Sequence, residues 1–203
     1  MKTTPNENNR PWLRHYEKGV PHEITFDKNL LPEFLENSAR NFPDKSALNF
    51  EGYRVTYMQL QSMVERFSAH LYSFGIRKGD VVAILLPSMI SCVVSYYAII
   101  KIGGIAVMNN PMSSDRELEY YLNDSGAKAL ITLDLLANRM IDLRPKTGLK
   151  QIIYTTFDEY LPIQKKVLFK LFGRMKKLTI PVKKADDLYS FKKLMKKDEP
   201  EAR

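Results

Sequence analysis

Apolar and polar positions change period repeatedly along the chain, and each change marks an element. Leu31, Phe34, Leu35 and Phe42 share a helical face, so residues 29–42 read as a helix ended by Pro43. Residues 47–50 and 53–55 flank Glu51-Gly52 and read as a hairpin with a tight turn. Thr56 then opens a second helix. With Gln59 it makes a capping box, and Val55 can staple against Leu60. Tyr57, Leu60, Val64, Phe67 and Leu71 keep an apolar stripe at spacings of three and four, and Gly75 supplies a left-handed cap.

From there strands and helices alternate. Residues 81–86 form an apolar, β-branched-rich run. Residues 88–102 have helical length and stop at Gly103-Gly104, and 105–108 read as a strand. Ser114 and Glu117 make a second capping box, for a helix closed by Gly126. A strand at 128–132, a helix at 134–143 stopped before Pro145, and a strand at 151–155 complete the series. The pattern predicts an α/β fold: a mostly parallel sheet with helices on both faces, preceded by a small hairpin. The runs at 81–86 and 129–131 are apolar without alternation, as strands covered on both sides should be. Sheets of this kind place ligands at the carboxyl ends of their strands.

The twenty uncharged residues 81–100 are long enough to cross a bilayer. Pro87 cuts the run, and Ser88, Ser91 and Ser95 follow it, so a buried strand, a turn and a buried helix account for it better. The first residues, MKTTPNENNR, carry no apolar core of a secretory signal. A cytoplasmic location is the expectation, with a peripheral place on a membrane left open.

Charge changes the picture only at one end. The chain has 203 residues and a net charge of +8. Residues 1–140 hold 15 basic and 15 acidic side chains, whereas 141–203 hold 16 and 8. Within 161–184 there are eight basic residues and no acid. Here Ile163, Val167, Leu168, Leu171, Phe172 and Met175 recur at helical spacing among Lys165, Lys166, Lys170, Arg174, Lys176 and Lys177. The expected organisation is therefore an α/β lobe over 1–155 and a basic helical extension over 156–203, with 190–197 as a second, weaker basic helix. The stripe is expected to dock on the lobe. The six cations are the candidate contact with an anionic surface such as a bilayer.

Catalytic chemistry is sparse. The sequence contains no GxxxxGK[ST] loop, no GxGxxG, no GxSxG and no HExxH. Its single cysteine, Cys92, excludes an intramolecular disulfide and reads as an inert core thiol. Three scattered histidines, His15, His22 and His70, offer no metal cage. Methionines 58, 63, 89 and 108 read as core filler. No catalytic, cofactor-binding or metal-binding residue is therefore assigned within the chain.

Several segments together resemble the long-chain fatty-acid–CoA ligases of the adenylate-forming, AMP-binding superfamily. They are Pro11-Trp12-Leu13 with Tyr16 and Gly19-Val20-Pro21; the FPDKSAL of 42–48 with the VTYMQL of 55–60; and the KGD, strand and Leu-Pro of 78–87. The YAIIKIGGIAV of 97–107 with Asn110-Pro111, and Glu117-Leu118 with the DSGAK of 124–128, complete the set in order. Asp158 and Tyr160-Leu161-Pro162 point to the long-chain branch. Ser88 and Ile102-Gly103-Gly104 depart from the commoner Asn and Ala-Gly-Ala. The resemblance implies that a parent enzyme uses ATP and Mg²⁺ to join a fatty carboxylate to AMP, then passes the acyl group to CoA. It also implies a Ser/Thr/Gly-rich phosphate loop, and the sequence ends where that loop should begin. The chain is accordingly expected to be an N-terminal fragment, inactive alone, whose partner is the remainder of the parent ligase.

Two rival readings carry their own signatures. A stand-alone basic α/β binding module would need nucleotide-binding glycines at its strand ends, which are missing. A nucleic-acid-binding protein would show aromatic interleaving or helix-turn-helix spacing around its cations, and neither is present, so no nucleic acid is expected. A homodimer is left open.

Overall fold

The structure is a computed structural model that describes residues 10–26, 28–172 and 180–196. The chain divides into two compact units, Met1–Leu30 and Leu31–Arg203. In the first, a short 3-10 helix spans Pro11–His15, and Arg10 pairs with Glu23 at 3.2 Å.

The second unit carries seven labelled helices and seven strands among its described residues. In chain order they are α1 (Leu31–Asn41), β1 (Ser46–Phe50), β2 (Tyr53–Thr56), α2 (Tyr57–Ser73), β3 (Val81–Leu85), α3 (Ile90–Lys101) and β4 (Ile105–Met108). There follow α4 (Asp115–Ser125), β5 (Ala129–Leu133), α5 (Asp134–Leu143), β6 (Gln151–Thr155), α6 (Ile163–Phe172), β7 (Leu188–Ser190) and α7 (Phe191–Leu194). β1 and β2 form the antiparallel hairpin, and Glu51 and Gly52 both take positive φ in its turn, at 55° and 95°. β4-β3-β5-β6-β7 is a five-stranded sheet, parallel throughout. The run at 81–100 is thus a strand, a turn and a twelve-residue helix, and among the described residues no helix is long and apolar enough to cross a membrane.

Side chains alternate across this sheet as strand geometry requires. Val82, Ile84, Ile131 and Ile153 face a core built with α2, α3 and α7, while Ala83, Leu85, Leu130 and Ile152 face a second core built with α4 and α5. Both expected capping boxes are present. Thr56 Oγ1 accepts from the Gln59 amide while Gln59 Oε1 accepts from the Thr56 amide, and Ser114 and Glu117 do the same. The hydrogen bonds from Ser114 hold the Glu117 carboxyl below its ordinary value.

The KGD and Gly-Gly segments are structural. Asp80 accepts from the Arg77 amide at 2.9 Å and from Lys128 Nζ at 2.6 Å, which ties the amino end of β3 to that of β5. Those bonds hold the Asp80 carboxyl below its ordinary value. Gly104 leaves room for two backbones. A Cβ there would stand 3.1 Å from the Ile99 carbonyl oxygen and 3.2 Å from that of Asp80.

α1 buries Leu35 and Ala39, while Leu31, Phe34 and, beyond its end, Phe42 are exposed. Two expectations are corrected. Residues 188–190, lying in the segment assigned to the extension, form β7 in the sheet, and the expected helix at 190–197 is a single turn, α7. Phe191 packs on Phe67 with ring centroids 4.7 Å apart, and Tyr189 stacks on Phe74 at 4.2 Å. His70 Nε2–H donates to the Leu194 carbonyl at 2.9 Å and Arg66 to the Met195 carbonyl at 2.8 Å, satisfying orphan carbonyls at the end of α7. The other correction concerns the stripe of α6: Ile163, Val167, Leu168 and Leu171 are exposed, while the Phe172 side chain and Met175 lie outside what is described.

Candidate functional site

Strand order fixes where a ligand can lie. The chain leaves β3 into α3 on one face and leaves β5 into α5 on the other. Neighbouring strands whose connections diverge in this way open a crevice beyond their carboxyl ends. Pro87-Ser88-Met89 borders it from β3, and Asp134, the first residue of α5, from β5. Asp134 is buried and accepts from the Leu135 amide at 2.9 Å. Burial raises its carboxyl above the ordinary value, and the charge of Asp158 adds to this.

The end of β6 supplies two further carboxylates. Asp158 is buried and accepts from Thr156 Oγ1 at 2.7 Å. Glu159 Oε1 accepts from the Thr156 amide at 3.1 Å. Desolvation pushes Glu159 up to about 7, against hydrogen bonds from Thr156 and Thr155 and the nearby Lys192 charge. Despite these acids, no group of three or more His, Cys, Asp or Glu among the described residues could hold a metal ion. The strand ends offer shape, hydrogen bonds and a buried acid.

Beside them, between β1 and the start of α3, an apolar groove of about 230 Å³ is lined by Leu48, Phe50, Met89, Ile90, Cys92 and Val93. Burial raises the Cys92 thiol above its ordinary value.

The candidate cations divide. Lys165 Nζ pairs with Glu51 at 2.6 Å across the hairpin turn, and Lys166 Nζ donates to the Glu159 carbonyl at 3.2 Å. Lys170 lies on α6, and Arg174, Lys176 and Lys177 lie outside the described residues. Phe169 supplies the inward contact, stacking on Phe157, which meets Phe50 edge-on. Ile163, Val167, Leu168 and Leu171 are instead 82%, 54%, 57% and 66% exposed. The stripe faces outward because a lysine on either side of Phe169 holds the helix by its opposite edge.

Sequence reasoning placed the site at the strand ends but missed Glu159. An acid in a polar-looking turn gives no sign of burial. The aromatic neighbours Phe157 and Tyr160, which pack on Phe50 and Tyr53, were the signal available.

The sequence matches the AMP-binding enzyme family over residues 35–191. It is 35% identical over 195 residues to a long-chain-fatty-acid–CoA ligase of Bacillus subtilis, covering 96% of this chain and 35% of that protein. A long-chain-fatty-acid–CoA ligase of Salmonella typhimurium is 32% identical over 183 residues, covering 89% and 33%. The chain thus spans about a third of the length of these curated relatives. In fold, it resembles the crystal structure of a long-chain-fatty-acid–CoA ligase from Archaeoglobus fulgidus, with a TM-score of 0.62 and 24% identity over 68% of this chain and 29% of that one. With more than half its length matched, and the parallel sheet and strand-end crevice in place, this chain belongs to the AMP-binding enzyme family.

Proposed function

We propose that the chain is the N-terminal lobe of a long-chain fatty-acid–CoA ligase, which joins a fatty acid to AMP at the expense of ATP and then transfers the acyl group to the thiol of CoA. The observation that carries this reading is the similarity to the Bacillus subtilis ligase along nearly the whole chain. In this reading the lobe contributes one wall of the site, at the carboxyl ends of β3, β5 and β6. The charge that develops on phosphate oxygens during adenylation needs a cation and fixed donors beside it. The residues here do not fit a Mg²⁺ site, since no such ligand group is present among those described and the sequence has no phosphate loop. Metal and triphosphate handling therefore fall to the remainder of a parent chain, and no step of the reaction is assigned to a side chain of this lobe.

The test is fatty-acid-dependent exchange of pyrophosphate into ATP by the purified 203-residue chain with Mg²⁺. No exchange above a protein-free control is expected. Exchange that requires both fatty acid and Mg²⁺ would overturn the assignment of the chemistry to other segments.

A further inference from the structure

We propose that a pocket beside β6 and β7 binds a small phosphate monoester with an apolar body. This inference is independent of the ligase reading. Ile152 pairs with Leu188 and Tyr154 with Ser190, so all four stand on one face of the sheet. It is the face of the second core, where Ile152 packs with α4 and α5. The later helices lie on the other side: α6 is held to the hairpin by Lys165, and α7 packs on α2 through Phe191. Neither covers β7 on the α5 side. Residues 181–186 cross there instead. Asn138 holds the Pro181 carbonyl and the Lys183 amide, and Arg144 holds the Asp186 carbonyl. Between this strap and the strands is a pocket of about 470 Å³, within the range of about 300–1,000 Å³ usual for small-molecule sites.

The lining selects an anion. Lys183, Lys184 and Lys193 border the pocket, and no acid does. Lys183 is engaged by Asp142 at 3.0 Å, whereas Lys184 and Lys193 have no acidic partner among the described residues. Asp187 precedes β7, but it accepts from Tyr189 OH at 3.0 Å and faces Arg144 at 4.0 Å. The Tyr154 and Ser190 hydroxyls, on the pocket's face of the sheet, bond no other described group. Two ammonium groups and two hydroxyls thus await acceptor oxygens. A phosphate monoester offers three such oxygens and close to two negative charges. Val182, Leu188 and the Tyr154 ring supply apolar surface for the rest of the molecule. An inorganic anion would leave that surface wet, and a neutral apolar molecule would leave the lysines unmatched.

Titration calorimetry of the 203-residue chain at constant ionic strength tests this, with phenyl phosphate, phenol and inorganic phosphate as probes. Saturable binding of phenyl phosphate is expected, about tenfold or more tighter than that of either other probe. Lys184→Ala with Lys193→Ala is expected to weaken it about tenfold or more. Lys78→Ala with Lys150→Ala removes the same charge at exposed positions elsewhere, and should leave the affinity within about twofold. Tyr154→Phe, which deletes only a hydroxyl, is expected to weaken binding about threefold. Thermal melts check that each variant is folded. No saturable binding of phenyl phosphate, equal affinity for inorganic phosphate or for phenol, or equal loss in the two double variants overturns the proposal. Binding that is unchanged in Lys184→Ala with Lys193→Ala, or in Tyr154→Phe, places the ligand elsewhere and also overturns it.

Discussion

Replacing Phe191 with alanine is expected to lower folding stability by about 3–5 kcal/mol, the usual cost of emptying a fully buried aromatic site. Phe191 is wholly buried and its ring meets Phe67 of α2 at 4.7 Å. It begins α7, directly after β7 completes the sheet. Around it, Tyr189 stacks on Phe74, and His70 and Arg66 reach from α2 to the last carbonyls of α7. Truncating the ring therefore opens a cavity where α2, β6 and α7 converge, and backbone bonds on either side limit how far the site can collapse. Chemical denaturation reads the effect as a lower midpoint at unchanged slope. Leu168→Ala, at an exposed position of α6, should stay within about 0.5 kcal/mol of the parent. If 188–194 were merely appended to the lobe, the two variants would behave alike.

The stability of the chain is expected to fall as pH rises from 4.5 to 8, and Glu159→Gln should remove most of that slope. Glu159 ionises near 7 in the folded chain against an ordinary 4.5, because burial disfavours its charge. Folding thus takes up a proton between those values. The contribution of the neutral acid is fully present below about pH 4.5 and is lost as pH passes 7, a change of about 3 kcal/mol by proton linkage. Asp134, also raised by burial, acts in the same direction, whereas the depressed Asp80 loses its contribution at low pH. The difference between parent and variant at each pH isolates Glu159 from both. A glutamine cannot ionise, so whatever fixed offset its amide introduces leaves the difference curve flat except across the Glu159 titration. Equal slopes in the two proteins would mean that Glu159 is ionised throughout and solvated.

Local chemistry was legible in the sequence wherever a few adjacent residues decide the backbone. Thr56 with Gln59, Ser114 with Glu117, and Glu51-Gly52 each specify a cap or turn within four residues, and each is realised. The parallel sheet was legible from runs such as 81–85, whose lack of alternation reflects cover on both faces. β7 was not legible. Three residues carry no periodicity, and its place follows from pairing with Ile152–Tyr154 and from Arg144 and Asn138 on and near α5 holding 181–186. On α6 the period was read correctly and the docking side was not. Apolar spacing identifies a stripe, but a single aromatic pair and two lysine contacts decide which edge meets the lobe. The site divides similarly. Strand alternation located the carboxyl ends, while the ionisation of Glu159 depends on tertiary burial that no local pattern encodes.

The most direct test of the central claim is to replace the aligned segment of the Bacillus subtilis ligase with this chain and measure fatty-acid-dependent, ATP-dependent formation of acyl-CoA. A lobe that forms the same wall of the same site should restore thioester synthesis with the remaining two-thirds of the relative. A chimera that is folded and binds ATP, yet makes no thioester from any long-chain fatty acid, would contradict the account.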